Sequence, residues 1–246
     1  MERKHRKNRE TGIKKTDDKE TDVFQIFQNI ARHYDRSNAI ISVGLHGYWK
    51  FHMVHCLSGM VPERGTILDL CCGTGDISRG LLKEKKNFIV TGADFSPNML
   101  ALARKKLAGF SSFHLVRADA MELPWKEGTF DAVVISFGLR NTPDPEQVIR
   151  EMVRVTKKGG IVCIMDAHYP DHPWVRKGFS LYFHQIMPLL GGGKKNQKEY
   201  QWLNYSTKNF AHWKEIMEMM KTAGLVKQKY KRFLFGSCVY QLGLKG

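Results

Sequence analysis

The sequence has no long hydrophobic run, no regular cysteine framework and no apolar leader at its amino terminus. A membrane-spanning helix needs roughly 18 consecutive apolar residues, and no segment of the chain offers them. The first ten residues, MERKHRKNRE, are mostly charged, whereas a secretory signal needs an apolar centre. These absences argue against an integral membrane protein and predict a cytoplasmic location.

Cysteine is scarce, with five residues in the chain. An odd number without framework spacing argues against disulfides, and Cys71-Cys72 lies in an apolar run rather than in a CxxC metal knuckle. We therefore expect reduced, mostly buried thiols. His52, His55 and Cys56 have helical spacing, but no distant cluster completes a tetrahedral zinc site, so no metal is predicted.

Acidic residues are outnumbered, since 24 Asp and Glu stand against 39 Lys and Arg, a formal net charge of +15. Residues 171–246 alone hold thirteen Lys and Arg against four Asp and Glu. Such a basic segment can bind RNA or an anionic membrane surface. Solvent-exposed lysines that only keep the protein in solution would give the same charge pattern. Because no RNA-binding module is recognisable, we expect no nucleic-acid partner. Peripheral contact with the inner face of an anionic membrane is a hypothesis, and a homodimer is left open.

The chain divides into a tail and one predicted domain. Residues 1–20 are polar and nearly free of large apolar side chains, so we expect a disordered basic tail. A single domain should span residues 21–246, with helices over 21–60 and an irregular, aromatic-rich insertion over 170–206.

Five short apolar runs alternate with helical patterns in the centre of the chain. Their continuous hydrophobicity indicates strands buried on both faces, as in a parallel sheet covered by helices. Ser96 and Asp144 each precede a proline and should cap helices, and Gln147 would complete a capping box with Asp144. The five runs are ILDLC, FIVTGAD, FHLVRAD, FDAVVISFG and GGIVCIMDA.

The carboxyl-terminal part adds a helix and a hairpin. Two strand-like runs, LVKQKYKRFLF and SCVYQLGL, meet at Gly236-Ser237 and predict an antiparallel pair. The whole pattern predicts an α/β, Rossmann-like fold of seven strands, mostly parallel, with helices on both faces and a terminal antiparallel hairpin. The helix before the hairpin is predicted from a stripe of Phe210, Trp213, Met217 and Met220, with Gly224 just past its end.

A glycine loop follows the first predicted strand, in ILDLCCGTGDIS. Gly73 and Gly75 allow a sharp turn and a close backbone approach to a ligand, and Thr74 and the amides after it can donate hydrogen bonds at a helix start. The loop is one glycine short of the dinucleotide-binding pattern GxGxxG/A. Asp94, at the end of the next strand, would suit the ribose in either a nicotinamide site or a methyltransferase site.

Three acids each end a successive predicted strand, namely Asp69, Asp94 and Asp119. A carboxylate can accept both hydroxyls of a ribose, which suits Asp94, and Asp119 with the amide of Ala120 can read an adenine edge. Each acid has an alternative structural role: Asp69 could cap a turn, Asp94 could cap the helix that begins at Pro97, and Asp119 could be an ordinary loop acid. No second phosphate-binding turn is recognisable, which disfavours a dinucleotide.

Longer segments resemble the ubiquinone/menaquinone biosynthesis C-methyltransferase family, which has a class I methyltransferase fold. The resemblance covers about residues 22–246. One departure is Cys71, which occupies the first glycine slot of the general signature DxGxGxG. The segments are YDRSNAIISVGLHGYWK, CCGTGD, SFGLRNTPDPEQVIREMVRVTKKGG, YFHQIMPLLGG and YQWLNYS.

The resemblance implies S-adenosylmethionine as cofactor and a reduced polyprenyl quinone precursor, demethylmenaquinol, as methyl acceptor. Arg140 would stabilise a developing phenolate and Asn141 would orient a ring oxygen, with His184 as a secondary acid or base. The 170–206 insertion would form a substrate lid and a groove for the prenyl tail. A salt bridge and a helix-entry turn are the structural alternatives for Arg140 and Asn141. The predicted cofactor-binding residues are Asp69, Gly73, Thr74, Gly75, Asp94, Asp119, Ala120 and Ser136.

Other functions stay open from the sequence. The acceptor could instead be 2-polyprenyl-6-methoxy-1,4-benzoquinol of ubiquinone biosynthesis, or another small phenol or natural product. An RNA methyltransferase is suggested by charge alone, and an NPPY-like motif for methylating an exocyclic amine is absent from the sequence. A non-enzymatic cofactor-binding protein would not explain an Arg-Asn pair on the acceptor side.

Overall fold

The computed structural model describes residues 44–170, 172, 174–176 and 197–246. The predicted tail, the predicted helix before residue 44, His184 and most of the 170–206 insertion lie outside these residues. Within the described ranges, no helix has the length and apolar character needed to cross a bilayer.

Seven strands form one mixed sheet in the order β3-β2-β1-β4-β5-β7-β6. The first five strands are parallel, β7 is antiparallel to β5, and β6 is antiparallel to β7. This arrangement confirms the predicted fold and the closing hairpin. The strands are β1 (Thr66–Leu70), β2 (Ile89–Asp94), β3 (Phe113–Arg117), β4 (Phe130–Ser136), β5 (Thr156–Ala167), β6 (Leu225–Phe233) and β7 (Cys238–Lys245).

Helices surround this sheet, and short 3-10 turns at Leu139–Asn141 and Leu234–Gly236 follow β4 and β6. The helices are α1 (His46–Met60), α2 (Asp76–Leu82), α3 (Pro97–Lys106), α4 (Pro145–Val155), α5 (Gln197–Asn209) and α6 (Trp213–Thr222).

Successive residues of the central strands enter two separate hydrophobic clusters. In β1, Ile67 packs with α1 and α2 on one face, whereas Leu68 packs with α4 and α6 on the other. In β4, Val134 and Val133 divide in the same way. Both faces of these strands are therefore covered, which explains their continuous hydrophobicity.

The third strand does not follow this rule, and the prediction that it is buried on both faces was wrong. No residue of β3 is fully buried, because β3 lies at the edge of the sheet. The buried face of α6 also differs from the stripe of residues that the sequence predicted for it. Phe210 precedes α6 and stacks on His168, while Trp213, Ile216 and Met220 form the buried face.

The predicted helix caps are mostly confirmed. The side chains of Ser96 and Asp144 accept hydrogen bonds from the backbone N–H groups of Met99 and Gln147. The predicted capping box is wrong, because the Gln147 side-chain amide donates to the Met121 carbonyl instead. All five cysteines are free thiols, and three of them are buried.

Candidate active site

The carboxyl ends of β1, β2, β3 and β4 meet at one edge of the sheet and enclose a cavity of about 210 Å³. Parallel strands separated by helices place such a cleft at this edge, where α/β proteins bind their ligands. The walls come from the loops after all four strands. They include Cys71, Gly73, Asp94, Phe95, Met99, Asp119, Ala120, Met121, Gly138 and Asn141.

A smaller pocket adjoins this cavity on the other side of the glycine loop. Cys71, Gly73 and Phe137 line both spaces. The remaining walls of the smaller pocket are mostly polar. They include Lys50, Asp69, Thr74, Asp76 and Ser136.

The glycine loop turns sharply because Gly73 and Gly75 both adopt left-handed backbone conformations, with φ of 54° and 84°. A side chain at Gly75 would also bring its Cβ to 2.7 Å from Leu107 Cδ1, on the helix that follows β2. Gly138 meets a similar limit, since an added Cβ would lie 2.6 Å from the Cβ of Cys71. These contacts explain why small residues border the cavity.

Asp69, near the end of β1, holds the start of α2 just after the glycine loop, and its predicted cofactor contact stays a prediction. Its Oδ2 accepts hydrogen bonds from the backbone N–H of Ser78 at 2.9 Å and from the Ser78 hydroxyl at 2.6 Å. Burial raises the pKa of Asp69 to about 7 despite these two bonds. The carboxyl therefore ties the end of β1 to the start of α2 and closes the floor of the smaller pocket.

Asp94 lies at the end of β2 with both oxygens already engaged. One accepts the Gly73 N–H and the other the Ser96 N–H, each at 2.9 Å. A carboxylate has about four acceptor sites, so acceptor capacity remains for a ligand in the cavity. Burial raises the pKa of Asp94, although the N–H groups of Ser96, Gly73 and Phe95 oppose that shift.

Asp119 and Ala120 also line the cavity, and Asp119 Oδ1 accepts the Met121 N–H at 2.8 Å. Ser136, at the end of β4, has a buried hydroxyl that finds no hydrogen-bond partner among the described residues. Such an orphaned group facing a polar pocket is expected where a ligand supplies the missing partner. Seven of the eight predicted cofactor residues thus line two connected spaces, and Gly75 lines neither of them.

Arg140 and Asn141, the pair predicted to act on the methyl acceptor, have different surroundings in the structure. Asn141 lines the cavity, and its Oδ1 accepts the indole N–H of Trp202 at 3.1 Å. Arg140 is not among the cavity-lining residues. Its Nη1 donates to Asp166 at 2.6 Å and to the Phe137 carbonyl at 2.7 Å. The ion pair is buried, with Asp166 completely inaccessible to solvent, so it is not the surface salt bridge considered from the sequence.

Sequence reasoning missed several residues of the site. Lys50, in the WK part of α1, reaches the smaller pocket and pairs with Asp76 at 2.8 Å. Burial alone would raise the pKa of Asp76, but Lys50 and Lys106 lower it to about 2. Phe137 holds a positive φ of 57° in the wall between the two spaces. The motif containing Lys50 was visible, but only the folded chain shows which pocket it faces.

His168 was missed as well, immediately beyond β5. It is buried, its Nδ1 lies 3.2 Å from the Ala211 carbonyl, and its ring stacks on Phe210. Burial lowers the pKa of His168 to about 4, outweighing the opposite effect of Asp166. His168 is therefore neutral near pH 7 and fixes the start of α6 against the end of β5.

Known proteins resemble this chain over nearly all of its length. The ubiE/COQ5 methyltransferase family matches residues 15–245. Demethylmenaquinone methyltransferase of Staphylococcus aureus strain JH9 is 40% identical over 226 residues, which are 91% of this chain and 92% of the relative. The same protein of strain COL gives equal values.

Solved structures of the same fold are more distant in sequence. An S-adenosylmethionine-dependent methyltransferase of Thermotoga maritima has a TM-score of 0.66 and 19% identity, covering 91% of this chain and all of that one. Another, from Aquifex aeolicus, has a TM-score of 0.55 and 17% identity, covering 80% of this chain and 89% of that one. The chain belongs to the ubiE/COQ5 methyltransferase family and is an S-adenosylmethionine-dependent methyltransferase.

Proposed function

We propose that the chain methylates a ring carbon of demethylmenaquinol, giving menaquinol, with S-adenosylmethionine as the methyl donor. The observation that carries this proposal is the match to the S. aureus demethylmenaquinone methyltransferase, which extends over nine-tenths of both chains. The cavity adds chemical support, because it joins an apolar wall to polar groups that suit an adenosine and an amino acid.

The residues present fit the cofactor in two parts. Asp94 would accept the ribose hydroxyls, and Asp119 with the Ala120 amide would read the adenine edge. Gly73, Thr74, Gly75 and Ser136 would surround the methionine end, where the orphaned Ser136 hydroxyl offers a hydrogen bond. The bound cofactor supplies a methyl group on a positively charged sulfur, an electrophile that needs an aligned, electron-rich carbon.

On the acceptor side, Asn141 would orient a ring oxygen from the cavity wall. Arg140 lies behind it, with a buried Nε that has no partner among the described residues. Its positive charge would favour the phenolate form of the quinol, which pushes electron density onto the ring carbon. The roles of His184 and of the 170–206 insertion as a lid and prenyl groove remain predictions.

The deciding experiment is a methylation assay with labelled S-adenosylmethionine and two reduced acceptors, analysed by mass. We expect methylation of demethylmenaquinol and a much lower rate with 2-polyprenyl-6-methoxy-1,4-benzoquinol. Equal or faster reaction of the benzoquinol would move the enzyme to ubiquinone biosynthesis. Reaction of neither quinol would refute the proposed acceptor class and leave the fold unchanged.

Lys50 is predicted to hold the carboxylate of the cofactor's methionine part. Its ammonium has three donors, and Asp76 occupies one of them at the wall of the smaller pocket. Because a charge-assisted bond contributes about 1.5–3 kcal/mol, Lys50→Met should weaken binding of S-adenosylhomocysteine by roughly 10- to 100-fold. Isothermal titration calorimetry provides the measurement.

Two controls test that assignment. Methylthioadenosine has no carboxylate, so Lys50→Met should bind it as the wild type does. The exposed Lys105→Met changes an equally charged residue of α3 that faces solvent and should alter neither affinity. If Lys50→Met weakens both ligands equally, Lys50 acts on the loop structure and not on the carboxylate.

A further inference from the structure

The turn between β6 and β7 exposes two large apolar side chains. Leu234 is 48% exposed and Phe235 71% exposed, and both have positive φ values of 41° and 54°. Left-handed backbone normally selects glycine or asparagine, and exposed apolar side chains gain nothing from the protein core. The combination indicates that this turn makes a contact beyond the described residues.

This turn lies at the active-site edge of the sheet. The first residue of β7, Cys238, pairs with Ala167, the last residue of β5, so the turn projects beyond the carboxyl end of β5. The backbone N–H of His168 donates to the Ser237 carbonyl at 3.0 Å, which fixes the turn there. The exposed residues and the cofactor cavity therefore face the same side of the molecule.

Helix α1 extends the apolar surface. Tyr48 is 58% exposed and lies edge-on against Phe233, the residue directly before the turn, with ring centroids 6.0 Å apart. Phe51, one turn along α1, is 66% exposed. Tyr48 thus lies beside the turn, and Phe51 lies three residues further along the same helix, on the face of the sheet that α1 covers.

Positive charge borders this apolar surface. Side chains alternate along a strand, and Phe233 faces α1, so Lys231 and Lys229 share its side of β6. Tyr230 and Arg232 face Trp213 on the other side. Neither α1, β6 nor the turn contains an Asp or Glu. Among these described elements, the charged residues that border the apolar tip are all basic, which matches the interface of an anionic lipid bilayer.

We propose that Tyr48, Phe51, Leu234 and Phe235, with Lys229 and Lys231, form a docking face for anionic membranes. This inference rests on the proposed function, since a polyprenyl quinol dissolves in the bilayer and must enter the cavity from it. Insertion of the turn would bring the edge that holds the cavity to the lipid surface. The basic pair would orient the enzyme through attraction to lipid headgroups.

The test uses the full chain and the double variant Leu234→Asn/Phe235→Asn, because asparagine tolerates the positive φ of the turn. Sedimentation with vesicles of phosphatidylglycerol and phosphatidylcholine should show partitioning weakened about tenfold or more. Lys229→Gln/Lys231→Gln should lower binding to the same vesicles and remove part of its salt dependence. Ile89→Asn, an exposed apolar residue at the opposite edge of the sheet, should bind as wild type.

Activity separates this inference from the proposed function. With a demethylnaphthoquinol carrying a short, water-soluble side chain, all four proteins should show equal turnover. With the long-chain quinol in vesicles, the two docking variants should be slower. Unchanged vesicle binding of Leu234→Asn/Phe235→Asn would overturn the docking face. A lower sedimentation coefficient of this variant than of the wild type, without vesicles, would also overturn it, because the surface would then join two copies of the chain. Absence of turnover on the soluble quinol by the wild type would instead refute the proposed function.

Discussion

Replacing Asp94 with alanine is expected to weaken S-adenosylhomocysteine binding by at least about 100-fold, because the hydrogen bonds proposed between Asp94 and the ribose would be lost together with the carboxylate charge. The change also leaves the N–H groups of Gly73 and Ser96 without their acceptor, so the glycine loop loses its support. Calorimetric titration measures the affinity, and circular dichroism shows whether the variant is folded.

Asp94→Asn sharpens this test. An amide keeps one oxygen but turns an N–H₂ group toward the Gly73 or Ser96 N–H, so it should also bind poorly. Wild type should prefer S-adenosylhomocysteine to its 2′-deoxy analogue, and both variants should lose most of that preference. Preserved discrimination in a folded Asp94→Ala protein would exclude Asp94 as the ribose ligand.

Asp131→Ala is the matched control for the loss of an aspartate that supports backbone groups. Asp131 lies near the start of β4, at the opposite edge of the sheet, where its Oδ2 accepts the Thr66 N–H and hydroxyl, each at 2.8 Å. This variant should lose stability but keep its affinity for the cofactor product. The comparison separates the general cost of removing a partly buried acceptor of backbone N–H groups from a specific loss of cofactor binding.

The mostly parallel sheet and the three acids at its carboxyl edge were predictable because they depend on short-range patterns. Each central strand is a run of apolar residues. Asp69 and Asp94 lie in the last two positions of β1 and β2, and Asp119 follows β3 by two residues. The topology of parallel strands then brings the acids to one edge without further information. Local signals and the fold agree at these positions.

The remaining site residues depend on contacts that local patterns do not encode. Asp166 lies next to the last residue of β5, but only the folded chain places it 2.6 Å from Arg140, which follows β4. Lys50 enters the smaller pocket because α1 packs on α2, a contact that neither helix's own sequence specifies. The half-exposed β3 was misjudged for a related reason, since a strand's place in the sheet is a property of the topology and not of its own residues.

The ion pair between Arg140 and Asp166 gives the second large expected effect. Arg140→Met should lower the free energy of unfolding by about 3–5 kcal/mol, because it leaves the inaccessible Asp166 carboxylate without its cation. The double variant Arg140→Met/Asp166→Asn removes both charges and keeps one acceptor oxygen, for either the residue-140 N–H or the Ala167 N–H, which bond to different oxygens of Asp166. It should therefore recover part of the lost stability, which chemical denaturation can measure.

Activity should not recover with stability if the arginine charge acts on the quinol. Both variants should have a kcat lowered by roughly 100-fold or more, and the acidic limb of the pH–kcat profile should move to higher pH, because the phenolate loses its cationic partner. Arg140→Lys keeps the charge and should shift this limb less. A merely structural ion pair would leave the limb in place, so a double variant with wild-type kcat and pH profile would show that Arg140 supports the cavity wall without acting on the acceptor.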